Sequence, residues 1–135
     1  MSVGTKGPNE ISEASIVGLL NQLLITASVS INESNLRALF EFEGTKVALD
    51  LALDGSNFIM LSTWWKLPED VFGSEVLPRC NRLGHSLRYV KFFWAVKDSS
   101  VLISVEFVAV GIEELAAVLR PYLDAINNAS RALLA

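Results

Sequence analysis

The chain has 135 residues, with 11 basic and 15 acidic side chains, a net charge of −4, and 51 % hydrophobic residues. Its mean hydropathy of +0.39 is high for a domain of this size. No lysine- or arginine-rich run is present, which argues against nucleic acid and against an anionic membrane surface. One cysteine, Cys80, excludes an intramolecular disulfide and fits a reducing cytoplasm; with one histidine, His85, it cannot build a Cys/His zinc site.

Residues 1–11 read as a flexible tail, opening on the small, polar MSVGTKGPN, and residues 12–135 as a single α+β domain. Ser12 is a good N-cap for a first helix, with Glu13 in its first turn. Ile16, Leu19, Leu20, Leu23, Leu24 and Ala27 follow at spacings of three and four, the apolar stripe of one helix face. Residues 14–32 carry no charge, but the stripe and the interruptions at Asn21, Gln22, Ser28 and Ser30 favour a packed helix over a membrane span. Glu10 and Glu13 stand where a signal peptide needs positive charge. The pattern fades at Val29 and Ile31, and residues 32–35 read as a turn.

Two alternating runs come next. Leu36, Ala38, Phe40 and Phe42 oppose Arg37, Glu41 and Glu43; after Gly44, Val47, Leu49, Leu51 and Leu53 oppose Lys46, Asp50 and Asp54. A half-buried antiparallel sheet requires this period of two. Asp54-Gly55 signals a hairpin into a third strand over residues 57–65. Both of its faces are apolar, with Phe58, Met60 and Trp64 against Ile59, Leu61 and Trp65.

Pro68, Glu69 and Asp70 open a second helix running to Leu83, which Pro78 should kink or restart. Residues 87–97 and 101–110 form the last two strands, hinged at residues 98–100 and again apolar on both sides. Leu115, Leu119, Leu123, Ile126 and Leu133 mark a final helix that Pro121 should break or bend. The expected fold is therefore α+β, with a five-stranded antiparallel sheet, flanking helices and the order α-βββ-α-ββ-α. Strands apolar on both faces call for cover on both sides over part of the sheet, in part from a second subunit.

The hairpin VALDLALDGSNFIMLSTWWKLPED, the segment LPRCNRLGHSLRYVKFFW and the helix start GIEELAAVLRPYLDAI resemble the YbjN family over residues 12–135. Its fold is similar to that of type III secretion class I chaperones. Asn81 matches the first asparagine of the family's helix-exit motif, whereas Gly84 stands at the second. The family is described as a sensory-transduction regulator, and the related chaperones are dimers that bind extended client segments. The resemblance implies binding and offers no catalytic residue to carry over.

The residues themselves offer little chemistry. Cys80 and His85 lack a third group to orient the imidazole. The pairs Glu41/Glu43 and Asp50/Asp54 lie on the polar side of alternating strands, a solvated face. Neither GxGxxG nor GxxxxGK[ST] occurs. No catalytic, metal or cofactor residue is expected. The candidate interface or client-binding residues are Trp64, Trp65, Phe92 and Trp94, together with Val71, Phe72, Val76 and Leu77 of the second helix. The reading is a cytoplasmic, homodimeric, non-catalytic module for a protein or peptide. The alternative is a small-molecule domain with an apolar pocket between sheet and helices.

Overall fold

In the computed structural model, residues 9–67, 73–87, 89–95 and 99–134 are described; the side chains of residues 73, 74, 85 and 86 are not. The elements are α1 (Glu13–Gln22), β1 (Ser28–Ile31), β2 (Asn35–Phe42), β3 (Thr45–Ala52), β4 (Phe58–Lys66), α2 (Gly73–Ser86), β5 (Lys91–Ala95), β6 (Ser100–Val108) and α3 (Ile112–Leu134). The strands form one antiparallel sheet in the order β1-β2-β3-β4-β6-β5. The chain leaves β4, passes through α2 to the far edge at β5, and returns as β6 between the two.

The sheet has six strands, one more than expected. The additional strand is β1, over residues where the helical spacing fades. Helix α1 instead stops at Gln22 in a Schellman motif, with the Ile25 amide donating to Leu20 and the Leu24 amide to Asn21. Leu24 takes the left-handed conformation that glycine usually supplies, at φ +61°. That turn releases the chain to pair Val29 with Ala38 and Ile31 with Leu36. At its start, Ser12 and Ser15 exchange bonds in a capping box, each side chain accepting from the other's amide.

Residues 9–11, expected as part of the tail, are instead held in the fold. Asn9 accepts from the Ile112 amide through its carbonyl and from the Glu113 amide through its side chain, so it caps α3, and Ile11 is buried. A Cβ at Gly111 would collide with Asn9, so glycine is what lets the two segments meet.

Neither proline divides its helix: α2 contains Pro78, and α3 runs unbroken through Pro121. Pro121 and Ala117, whose carbonyl loses its partner, are both exposed, so water can satisfy that carbonyl. The expected start of the second helix at Pro68 lies outside the described residues.

Alternation decides the layers. One face of the sheet carries Leu36, Ala38, Phe40, Leu49, Leu51, Ile59, Leu61, Ile103 and Val105, all buried in one core. Leu115, Leu119, Leu123 and Ile126 of α3 lie in it, with Ile16 and Leu20 of α1 and Val76 and Cys80 of α2. No outward-pointing strand residue belongs to that core. The helices therefore flank the sheet, as expected, and do so as one layer on one face. A buried polar clamp pins the tight β2–β3 turn to α3. There the Thr45 hydroxyl donates to Asn127 Oδ1 (2.7 Å), and Asn127 Nδ2 donates to the Glu43 carboxylate (3.0 Å). Among the described residues, no helix is long and apolar enough to cross a membrane.

Candidate functional site on the open face of the sheet

Among the described residues, no helix covers the second face of the sheet. Strand alternation sends Leu39, Ala48, Phe58, Met60, Ser62, Trp64, Leu102, Ser104, Val108 and Phe93 onto it. Trp64 is 56 % exposed, Val108 57 % and Phe93 62 %, where a folded domain usually hides side chains of this kind. Around Trp64 the face opens into a groove of about 480 Å³. Ala48 and Ser62, directly paired across β3 and β4, form its floor; Leu39 and Trp64 stand as apolar walls, with Arg37, Glu41 and Lys46 at the rim.

The charges on this face are largely held by one another. Asp50 accepts from Arg37 Nε and Nη2 (2.8 and 3.2 Å) and from Asn35 Nδ2 (2.8 Å). The carboxylate beside Arg37 pushes that guanidinium's pKa up. Asp50 is only 8 % exposed, so it is not the solvated acid the alternation suggested: its cross-strand neighbours cover it. Lys91 Nζ donates to Glu106 (2.9 Å). Asp54, at the β3–β4 turn, accepts from the Ser56 hydroxyl and amide, which hold its carboxyl below the ordinary range. Glu43 is tied to Asn127 and does not share a face with Glu41. Cys80 is buried, and burial pushes its thiol up; the His85 side chain lies outside the described residues. Among the described residues, no three His, Cys, Asp or Glu groups converge on a point suited to a metal.

The candidate residues separate by face. Trp64 is on the open face. Trp65 turns to the core, where its Nε1 donates to Ser130 Oγ (2.8 Å). Phe92 and Trp94 are half-buried against the same core, and Val76 is buried in it. The Trp94 indole N–H has no acceptor among the described residues. Leu77 is exposed on α2. Val71 and Phe72 lie outside the described residues. The structure thus sets Trp64 near Leu39 and Phe93 and puts Phe58 and Val108 on the same face at the other end of β4, and none of these four is among the site residues expected from the sequence. Their signal was parity: each shares Trp64's side of the sheet, and Leu39 sits between Arg37 and Glu41 on what looked like a polar face.

A second cavity, of about 450 Å³, lies beside the start of α1 between Glu10, Glu13, Leu36, Leu51 and Asn57.

No family model matches the chain, and no curated protein sequence matches it. Its fold is similar to that of an uncharacterized protein from Methanothermobacter thermautotrophicus, with 9 % identity and a TM-score of 0.65, over 92 % of this chain and 97 % of that one. It is also similar to a chain of the HopA1–SchA chaperone–effector complex, with 9 % identity and a TM-score of 0.51, over 87 % of this chain and 96 % of that one. The likeness is one of fold. It fits the chaperone-like α+β architecture expected from the sequence.

Proposed function

We propose that this chain is a non-catalytic protein-binding module, chaperone-like or regulatory, that acts in the cytoplasm as a homodimer. One observation carries the reading: all three helices sit on one face of the sheet, while the other exposes Leu39, Phe58, Trp64, Phe93 and Val108 and holds a groove beside Leu39 and Trp64. Clustered aromatic and aliphatic side chains with a polar rim are the make-up of a protein interface. The face offers weak chemistry, because two of its three carboxylates, Asp50 and Glu106, are paired with Arg37 and Lys91. The shared fold with a chain of a chaperone–effector complex supports a protein client, and so does the resemblance to the YbjN family.

A small-molecule reading rests on the cavity beside α1. It has less behind it, because the space between sheet and helices is occupied by fully buried side chains such as Leu49, Leu61, Leu119 and Leu123. Site-directed photo-crosslinking tests the main reading. A photoreactive residue at Val108 should give a protein adduct in cells, and Trp64→Glu should abolish it. The same probe at the exposed Glu114 of α3 should give none. Absence of any adduct at Val108 refutes the protein-binding face.

A further inference from the structure

We infer that the occupant of the open sheet face is a second copy of this chain, stacked face to face. This rests on the protein-binding reading above and names its partner. Area is the first support. Five side chains on the face, Leu39, Phe58, Trp64, Phe93 and Val108, are each 40–62 % exposed. Together they leave on the order of 500 Å² of apolar surface in water, at roughly 150–250 Å² for a whole aromatic side chain. A stable dimer buries about 800 Å² per partner, of which about 65 % is apolar. The patch therefore supplies the apolar share of one half-interface.

Charge is the second. The chain as a whole carries −4, so most of its surface repels its own copy. The open face does not. Arg37 is paired with Asp50 and Lys91 with Glu106, leaving Lys46, Lys66 and Glu41 as the other charges on the outward strand positions. That is four basic and three acidic side chains, so the remaining 7 of 11 basic and 12 of 15 acidic groups lie elsewhere. The acid surplus has been sorted off this one face. Glu41 and Lys46 oppose each other across β2 and β3, and neither makes an ion pair among the described residues. A two-fold axis beside them sets Glu41 of one copy against Lys46 of the other, the self-matching arrangement an isologous contact needs.

Shape is the third. The same patch holds a projecting knob, Trp64, and a hollow floored by Ala48 and Ser62. Knob and hollow on one surface fit a copy of themselves, and two sheets packed this way lie about 10 Å apart. The hydrogen-bonding edges of β1 and β5 stay open in such a dimer, free to meet a client strand.

Light scattering of the full chain across a dilution series tests this. The expected mass is twice the 14.8 kDa of one chain. Trp64→Glu and Leu39→Glu, both at exposed positions, should each raise the dimer dissociation constant on the order of a hundredfold or more while leaving the far-UV spectrum unchanged. Glu41→Lys should weaken the dimer, and Lys46→Glu added to it should restore the dimer. A dimer indifferent to all of these has its seam elsewhere and overturns the proposal. So does a monomer at every concentration. A monomer whose Val108 probe still captures another protein removes the second copy and spares the protein-binding reading. A monomer with no adduct removes both.

Discussion

Replacing Asn127 by alanine tests how the open sheet is held to its helical layer. Asn127 is 3 % exposed and joins two groups that are distant in sequence, the Thr45 hydroxyl and the Glu43 carboxylate. Removing its amide strands the buried Thr45 hydroxyl, at a cost of about 1–3 kcal/mol. Glu43 also loses a donor, but it is half exposed and water replaces the bond, so that loss adds about 0.5–1 kcal/mol. The expected destabilisation is therefore about 1.5–4 kcal/mol, at about 3–5 °C in Tm per kcal/mol for a domain of this size. Urea unfolding followed by circular dichroism reads it directly. Adding Thr45→Val removes the stranded hydroxyl and should return about 1–2 kcal/mol, so the two substitutions are not additive. A cost under about 0.5 kcal/mol for Asn127→Ala, or strict additivity, would refute the account of the clamp.

Leu24→Gly should stabilise the fold by about 1 kcal/mol, because Leu24 holds a left-handed conformation while 94 % exposed and so has strain to lose and no packing; a lower urea midpoint would contradict this. Leu61→Ala and Trp64→Ala, three residues apart on β4 but on opposite faces, should differ sharply. The first should cost about 2–5 kcal/mol, and the second should stay within about 0.5 kcal/mol when measured in solution dilute enough for single chains. Equal costs would mean the faces are misassigned. Cys80 should react slowly with a disulfide reagent at pH 8 and at once in denaturant, since burial disfavours its thiolate. Its folded value is raised, so the stability tied to the protonated thiol is complete below the ordinary range, about 8.5, and is lost as pH climbs through the raised value. Rapid labelling of the native protein would rule this out.

Much of the fold follows from local pattern. The period-two runs from Leu36 to Leu51 mark two strands with buried Leu36, Ala38, Phe40, Phe42, Val47, Leu49 and Leu51, because a half-buried strand cannot hide its polarity pattern; Leu53, expected on the same side, lies past β3 and is exposed. Alternation in β4 likewise puts Trp64 and Trp65 on opposite faces whatever packs against them. Where the reading went wrong, a non-local contact outweighed local preference. The apolar spacing of α1 continues to Ala27, but Leu24 turns left-handed so that β1 can pair with β2. Residues 9–11 read as part of a flexible tail, yet Asn9 finds the bare amides at the start of α3, about a hundred positions along. Asp50 looks solvated beside Lys46 and Asp54, yet the sheet places Arg37 and Asn35 over it.

The sequence by itself determined the α+β class, the antiparallel pairing and which side chains share a face, since each depends on periodicity and turn residues along the chain. Only the tertiary structure decided which apolar face is core. Both sides of β4, β5 and β6 are hydrophobic enough to be buried, and period-two spacing is blind to which one a helix will cover. The packing of α1, α2 and α3 on a single side made Trp65 a core residue and left Trp64 facing water.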